Sequence, residues 1–236
     1  MYKSFSALKL RLKGTTEVEE TEHRIVTGES WEEFCDTLKA SGAAIMGMGS
    51  PNDPLTQAEG YRYLTRLIRA GLEAFIEYSD PKAPVLRRMV HETVKIGADN
   101  PDNYYQNAVI RGEYEYVITG KRNTVHFLGF STQKGNYGGG SGLPPTGFLD
   151  ASDLYIDDNG YFEIVVSCEK KGRNWLPMEP DTGLLIVRQT FGNRDKEVPA
   201  ELTIKRIGGE NIPTPVTPQS VDHGLKTASQ LVAGVS

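Results

Sequence analysis

The sequence has few cysteines and no long apolar segment. Its two cysteines, Cys35 and Cys168, lie far apart, so the sequence gives no support for a disulfide. No segment approaches the roughly 18 apolar residues that a membrane-spanning helix needs. Residues 1–14 contain no apolar stretch of signal-peptide length. We therefore expect a cytoplasmic protein with no membrane partner.

A concentrated patch of positive charge is also missing. The 26 Lys and Arg residues are scattered among 31 Asp and Glu residues, which gives a net charge of −5. Binding to nucleic acid phosphates requires a clustered basic surface. We expect no nucleic-acid partner.

The common catalytic and cofactor motifs are absent from the sequence. The glycine-rich segment 134–145 is not followed by Gly-Lys-Ser/Thr at a helix start, and it lacks the βαβ context of a dinucleotide site. His91-Glu92 lacks the second histidine of a zincin helix, and there is no Gly-x-Ser-x-Gly. Asp157–Gly160 suggests a calcium loop, but Tyr155 would then occupy its first ligand position. The sequence predicts no metal and no cofactor.

Two helices are indicated before residue 97. Ser30-Trp31-Glu32-Glu33 fits a capping box, and it predicts a helix to about Ala40 with Trp31 and Phe34 facing inward. A second helix has apolar residues at three- and four-residue spacing. These are Leu64, Leu67, Ile68, Leu72, Phe75 and Ile76. The segment 85–96 that follows Pro81 and Pro84 is ambiguous.

The periodicity changes to two after the acidic, proline-broken turn at residues 99–103. Residues 110–118 and 125–130 predict a hairpin in which Ile118 faces Val125 and Tyr116 faces Phe127. A second hairpin is predicted to pair Ile156 with Phe162 around a three-residue loop. That loop ends at Gly160, which we expect at positive φ. Further strands are predicted at residues 184–191 and 200–207.

These elements predict an α+β protein with three parts. Residues 1–97 form a helical cap, residues 98–211 an antiparallel β-sandwich or jelly-roll-like sheet pair, and residues 212–236 a proline-rich linker with the start of a C-terminal helix. That helix carries one apolar stripe, made by Leu225, Ala228, Leu231, Val232 and Val235. The stripe must be covered by this chain, by a second copy in a homo-oligomer, or by a missing C-terminal segment packing on residues 221–236.

Four segments resemble a bacterial family of unknown function. They are residues 98–103, 114–129, 174–178 and 187–191. Members of that family carry a β-sandwich domain that sometimes accompanies a second uncharacterised domain. The resemblance implies the sandwich fold and a longer protein with a further β-rich part, and it implies no activity.

The catalytic candidates lie on and near the first predicted hairpin. In the expected register His126 lies diagonal to Glu115, and a carboxylate next to an imidazole is the minimum for acid–base chemistry near neutral pH. Glu113 shares this polar face, and Tyr104 precedes it. The alternative is that this face of the sheet is simply solvated.

The ligand-binding candidates fall in three places. Arg111 shares the polar face of the first hairpin. Asp99, Asp102 and Tyr105 could bind a polyhydroxylated ligand, or else satisfy the backbone of their own turn. Arg173 and Trp175 could bind an anion and stack on a ligand, or else close one end of the sandwich.

Together these candidates predict a small-molecule protein that performs acid–base chemistry as a lyase, isomerase, hydratase or hydrolase. Its pocket is expected inside the sandwich or at one end, and its substrate is expected to be partly apolar. The alternative is a non-catalytic module that binds a ligand or a glycan, or a protein-interaction subunit.

Overall fold

The computed structural model describes residues 16–47, 49–137 and 142–235. Within these ranges the helices are α1 (Glu17–Thr27), α2 (Glu29–Ala43), α3 (Pro54–Leu72) and α4 (Pro218–Val235), and a π-helical turn, Glu73–Glu77, extends α3. The strands are β1 (Asn103–Val109), β2 (Tyr116–Lys121), β3 (Phe127–Lys134), β4 (Pro145–Asp150), β5 (Tyr161–Ser167), β6 (Trp175–Pro177), β7 (Thr182–Thr190) and β8 (Glu201–Arg206). The predicted α+β class is confirmed.

The helical region begins with a capping box at Thr16 rather than at Ser30. The Thr16 hydroxyl accepts from the Glu19 N–H, and the Glu19 carboxylate accepts from the Thr16 N–H. Gly28 at φ 80° then ends α1, so α2 has already started when the chain reaches Ser30. The predicted cap is wrong because the Ser30 hydroxyl donates to Asp222 of α4 instead. Trp31, predicted to face inward, is exposed.

The C-terminal helix is the centre of the helical layer. Helix α4 packs against α2, α3 and the π-helical turn. Its apolar stripe is buried against Phe34, Phe75 and Leu67. This burial confirms that the helix is docked, and it identifies this chain as the surface that covers the stripe.

The eight strands form two four-stranded sheets. The first sheet has the order β1-β7-β3-β4 and the second β6-β5-β2-β8. All pairs are antiparallel except β5 with β6. The strands predicted near residues 184–191 and 200–207 are confirmed as β7 and β8.

The first predicted hairpin is wrong, because β2 and β3 belong to different sheets. Ile118 lies opposite Ile164 of β5 and Ile204 of β8. Phe127 lies opposite Thr190 of β7. Alternating hydrophobicity identifies which face of a strand is buried, but two strands that bury their faces in one core need not be hydrogen-bonded to each other. Residues 111–114, predicted as part of the strand, form a turn.

The second predicted hairpin forms only at its turn. The Asp157 N–H donates to the Tyr161 carbonyl at 2.9 Å, and Gly160 has φ 84°, so the three-residue loop and its positive φ are confirmed. The residues before the turn join neither sheet, however, and β5 pairs with β2 and β6.

The main core lies between the two sheets. Phe130, Leu185 and Val187 of the first sheet pack with Ile164 and other residues of the second in one buried cluster. The rings of Phe130 and Phe162 meet edge-on, with 6.1 Å between their centres. Large apolar side chains therefore fill the space between the sheets.

Two expectations about the chain's surroundings can be compared with the structure. Cys35 and Cys168 are both free thiols on the surface. In the described part of the chain no helix combines the length and apolarity needed to cross a bilayer.

Candidate functional site

A cavity of about 40 Å³ lies between the helical layer and the first sheet, and we call it the helix–sheet cavity. The π-helical turn, the irregular segment 85–94, β1 and β7 supply most of its wall. Its polar lining consists of Arg69, Glu73, Tyr78, Arg87, Arg88, His91, Asn107, Asn136 and Tyr137. Five of these residues also line an open cleft of about 530 Å³, the arginine cleft, so the two spaces adjoin.

Backbone hydrogen bonds hold the irregular segment 85–94 against β1. The N–H groups of Arg87 and Asn107 each donate to the other residue's carbonyl, at 2.8 and 2.7 Å. A tight turn then forms where His91 and Val94 exchange two more backbone bonds. The opposite wall is the π-helical turn, a rare geometry that often occurs at functional sites. The cavity thus has irregular backbone on both sides, in the segment 85–94 on one side and in the π-helical turn on the other.

Two arginines of this wall are neutralised by carboxylates and supported by aromatic rings. Arg87 pairs with Glu73 at 2.8 Å, and its guanidinium lies 3.9 Å from the centre of the Tyr78 ring. Arg88 pairs with Glu92 at 2.9 Å. The Arg88 guanidinium lies 4.2 Å from the centre of the Tyr104 ring. Both arginines are thereby fixed in position, because each has a carboxylate partner and a nearby ring.

Arg69 is the cation that gives this site its net charge. Its guanidinium donates to the Thr93 hydroxyl at 3.1 Å and forms no salt bridge within the described ranges. Three arginines and two glutamates line the two adjoining spaces, so their formal sum is 3 − 2 = +1 when His91 is neutral. The site is therefore suited to an anion.

Two buried polar atoms of the cavity wall lack a protein partner among the described residues. They are Oδ1 of Asn107, a residue that is only 6% exposed, and Nε of Arg88. The Asn107 Nδ2 donates to the Tyr137 hydroxyl at 3.5 Å, so only the amide oxygen is left over. Buried polar atoms are nearly always hydrogen-bonded. The wall thus presents one unused acceptor and one unused donor.

His91 is the titratable base of the cavity. Burial lowers its pKa, and the positive charges of Arg88 and Arg69 lower it further, against weaker opposing effects of Glu92 and Glu73. His91 is therefore neutral at neutral pH. Its Nδ1 accepts the Thr93 N–H at 3.3 Å, which leaves the ring proton on Nε2.

Tyr137 is the second titratable group inside the cavity. Burial raises its pKa, against the smaller lowering effect of the hydrogen bond from Asn107. The phenol therefore stays protonated over the physiological range. It can supply a neutral hydroxyl to the site.

The predicted contact between His126 and Glu115 is wrong, because it depended on the β2–β3 hairpin. Glu115 precedes β2 and pairs with Lys171. His126 follows the other end of this six-residue strand, roughly 20 Å along at ~3.3 Å per residue. His126 is exposed, and its backbone N–H donates to Glu197 at 2.8 Å.

Of the other catalytic candidates, only Tyr104 lies near the cavity, where its ring packs under Arg88. Glu113 lies in the turn between β1 and β2, and hydrogen bonding to it is the main cause that raises the pKa of Tyr114. Arg111 occupies the same turn, and its N–H donates to the buried Tyr116 hydroxyl at 2.9 Å.

The acidic turn is tied together by its own side chains. Asp99 pairs with Lys95 at 2.9 Å. The Tyr105 hydroxyl accepts from the Asn100 N–H at 3.3 Å and from the Asn103 amide at 2.9 Å. The Asp102 carbonyl accepts from the backbone N–H of Phe191, the residue that directly follows β7. These bonds agree with the alternative in which the side chains satisfy the backbone of their own turn. The ligand-binding role of the turn stays a prediction.

Arg173 and Trp175 are placed differently from each other. The Trp175 Nε1 donates to the Ser167 carbonyl at 3.2 Å, so this side chain is held to its own sheet. The Arg173 guanidinium lies 3.2 Å from the centre of the exposed Tyr155 ring. Both residues of that stack line a groove of about 540 Å³ on the outer face of the second sheet, which we call the tyrosine groove.

Sequence reasoning missed Arg69, Arg87, Arg88 and Asn107 as site residues, and it weighed His91 only as a metal ligand. A usable signal was present, since Arg87, Arg88 and His91 are concentrated in a segment that fits neither period. The metal reading of His91 has no counterpart in the structure. Across the described ranges no three His, Cys, Asp or Glu side chains are placed to share a metal ion.

Comparison with solved structures finds similarity to an uncharacterised bacterial protein. No family model and no curated protein matches this chain. The crystal structure of an uncharacterised protein from Burkholderia cenocepacia matches with a TM-score of 0.85 and 48% identity over 90% of this chain. The chain spans 59% of that protein's length. The resemblance to an uncharacterised bacterial protein is thus confirmed, and the second domain stays a prediction.

A second structure is more distant. The VPA0106 protein from Vibrio parahaemolyticus has 12% identity and a TM-score of 0.34, over 67% of this chain and 40% of its own. A similarity this weak supports no inference about fold or function.

Proposed function

We propose that this chain is an acid–base enzyme that binds a small anion in the helix–sheet cavity and exchanges a proton with it through His91. One observation carries the proposal. The charge of Arg69, a neutral histidine and two buried polar atoms without partners in the described part of the chain all border the same cavity. Perturbed titratable groups in a cleft are typical of functional sites. His91 takes the role that the sequence suggested for His126.

Bound anion would change the protonation of His91. A negative charge beside the ring favours the imidazolium, so it raises the pKa that burial and the arginines had lowered. The protonated ring can then donate from Nε2 to a ligand oxygen as a general acid. Ligand binding and proton uptake are therefore coupled at this site.

Thr93 provides a partner for both states of the ring. In the neutral form Nδ1 accepts the Thr93 N–H at 3.3 Å. In the protonated form Nδ1–H can donate to the Thr93 hydroxyl, whose oxygen lies 3.4 Å away, while the Thr93 N–H loses its acceptor on the ring. A ring that has a hydrogen-bond partner in either state can gain and lose its proton without leaving its position.

The proposal is tested by titrating the histidine ring signals by NMR with and without acetate. We expect acetate to raise the pKa of His91, because the ring borders the cavity and a negative charge favours its protonated form. His91→Gln identifies the signal, and sodium chloride at equal ionic strength controls for screening.

Arg69 supplies the matched variants for this test. Arg69→Met should abolish the acetate effect, whereas Arg66→Met, one turn earlier on α3 and outside the cavity, should preserve it. A His91 pKa that does not respond to acetate in the unmodified protein would refute the proposal.

A second candidate function is favoured by the tyrosine groove, namely a non-catalytic glycan-binding module. Tyr155 and Tyr161 are 48% and 55% exposed there. The neighbouring Glu163 carboxylate has no hydrogen bond or ion pair within the described residues. Aromatic faces bind the C–H face of a sugar while charged side chains bind its hydroxyls.

Calorimetry with soluble oligosaccharides tests this second candidate. Binding should be lost in Tyr161→Ala and retained in Tyr61→Ala, which removes another exposed tyrosine ring from α3. If Tyr161→Ala binds sugars as the unmodified protein does, the groove is not a glycan site.

A further inference from the structure

The polar atoms of the helix–sheet cavity define the ligand more narrowly, given the proposed function. We infer that the ligand is a small monoanion with a neutral hydroxyl next to its charged group, that is, a 2-hydroxycarboxylate. The inference rests on three properties of the cavity, which are its charge balance, its unused acceptor and its size.

The charge balance selects a single negative charge. Glu73 and Glu92 each neutralise one arginine, and Arg69 remains. The unpartnered Nε–H of Arg88 offers a further donor to the same anion. A dianionic phosphate would leave excess negative charge beside the two glutamates, which opposes binding. A carboxylate matches both the charge and the planar geometry of guanidinium donors.

The unused acceptor selects a hydroxyl. Asn107 Oδ1 is buried and has no donor among the described residues, so an O–H or N–H group of the ligand would satisfy it. A simple carboxylate such as acetate has no donor at neutral pH. An ammonium group would bring a positive charge among Arg69, Arg87 and Arg88, so a neutral hydroxyl fits better.

The size of the cavity selects a small polar end. A volume of about 40 Å³ corresponds to roughly three water molecules at ~10–15 Å³ each, so a few non-hydrogen atoms fill it. Larger substituents on the hydroxylated carbon would extend into the arginine cleft. Phe75, Met89 and Val94 border the cavity itself, where they supply an apolar wall for the hydroxylated carbon.

Three small carboxylate probes separate these requirements. Glycolate carries the carboxylate and the hydroxyl, acetate lacks the hydroxyl, and methoxyacetate keeps the oxygen without its proton. Calorimetry on the unmodified protein at neutral pH should give glycolate at least tenfold tighter binding than either of the others. The unused Oδ1 of Asn107 is an acceptor, so it cannot form a hydrogen bond with the ether oxygen of methoxyacetate.

Variants of Asn107 test whether this residue causes the preference for glycolate. In Asn107→Leu the affinities for glycolate and acetate should converge to within threefold, because the acceptor is gone. Asn107→Asp keeps an acceptor of the same shape and should keep glycolate ahead of methoxyacetate, although its added charge weakens all three. The comparison of probes on the unmodified protein does not depend on how either variant folds.

The outcomes separate this inference from the proposed function. If the three probes bind with equal affinity and acetate still raises the pKa of His91, the ligand is not a 2-hydroxycarboxylate. The proposal of an anion site would then remain. A glycolate preference that survives Asn107→Leu would also overturn the inference of a 2-hydroxycarboxylate. If no probe binds and the His91 pKa does not move, both the inference and the proposed function are wrong.

Discussion

Gln189 and Ala200 link the two sheets through a pair of hydrogen bonds. Gln189 lies on β7 of the first sheet, and Ala200 immediately precedes β8 of the second. The Gln189 Oε1 accepts the Ala200 N–H at 2.7 Å, and its Nε2 donates to the Ala200 carbonyl at 3.1 Å. The fully buried side chain thus pairs with the backbone as a neighbouring strand would.

Gln189→Leu is expected to reduce the free energy of unfolding by about 2–6 kcal/mol. The change leaves the buried N–H and carbonyl of Ala200 unpaired, at about 1–3 kcal/mol each. Gln106→Leu, which removes only an acceptor for Gln189 Nε2, is the control and should cost about 1 kcal/mol. Urea denaturation measures both. Equal losses in the two variants would mean that the Ala200 bonds do not stabilise the sandwich.

Gly224→Ala tests the contact between α4 and the π-helical turn. A Cβ at residue 224 would lie 2.5 Å from the Phe75 carbonyl oxygen, so the helix must move away at a cost of about 1–3 kcal/mol. Gly234→Ala, in the same helix, meets nothing within 4 Å and should gain up to about 1 kcal/mol from reduced backbone entropy. Opposite signs in urea denaturation are expected. A neutral Gly224→Ala would contradict the close packing.

Tyr116 predicts how stability depends on alkaline pH. Burial raises the pKa of this tyrosine, against the hydrogen bond from the Arg111 N–H, so the folded protein keeps a proton that the unfolded chain loses above about pH 10. The unfolded state then binds fewer protons, and stability falls as pH rises through this range. The contribution is fully present below pH 10.

Tyr116→Phe should make that fall less steep while lowering stability at neutral pH, because the Arg111 N–H loses its acceptor. Tyr161→Phe, at an exposed position, should retain the original slope. Thermal denaturation between pH 8 and pH 11 measures the slopes. An unchanged slope in Tyr116→Phe would exclude Tyr116 as the titrating group.

The two aspartates of the acidic turn are expected to differ. Asp99 has a side chain that is only 10% exposed and pairs with Lys95, so Asp99→Asn should cost about 1 kcal/mol. Asp102 uses its backbone carbonyl in the turn, and Asp102→Asn should stay within about 0.5 kcal/mol of the unmodified protein. Calorimetry of ligand binding on the same variants distinguishes a site role. Unchanged stability with lost ligand binding in Asp99→Asn would identify the turn as part of a site.

Features that depend on local periodicity could be predicted from the sequence. The apolar stripe from Leu64 to Ile76 predicted the long helix α3, and the alternation of residues 184–191 predicted strand β7. The glycine at the end of the 158–160 turn gave its positive φ. Each of these depends on neighbours within a few residues, which a single sequence contains.

Features that depend on distant partners could not be predicted. Strand β2 has the same alternation whether it pairs with β3 or with β5 and β8, so the register of Ile118 was not determined locally. Ser30 has the spacing of a cap, yet Gly28 ends the preceding helix first. The candidate site needs Arg87 to meet Asn107, 20 positions later in the chain, and no local pattern encodes that contact.

The separation of β2 from β3 also determines how the chain can fold. Asn103 of β1 bonds to Thr190 of β7, 87 residues later, and β2 lies between strands that both follow it far along the chain. Forming such pairs requires the closure of long loops before any ladder bond is gained, which is the condition that makes β-rich domains fold in milliseconds to seconds. During synthesis β1 and β3 remain without their shared neighbour until β7 has been made, and β2 remains exposed along one edge until β8 follows. The newly made strands therefore depend on the last quarter of the chain for protection from other unpaired edges.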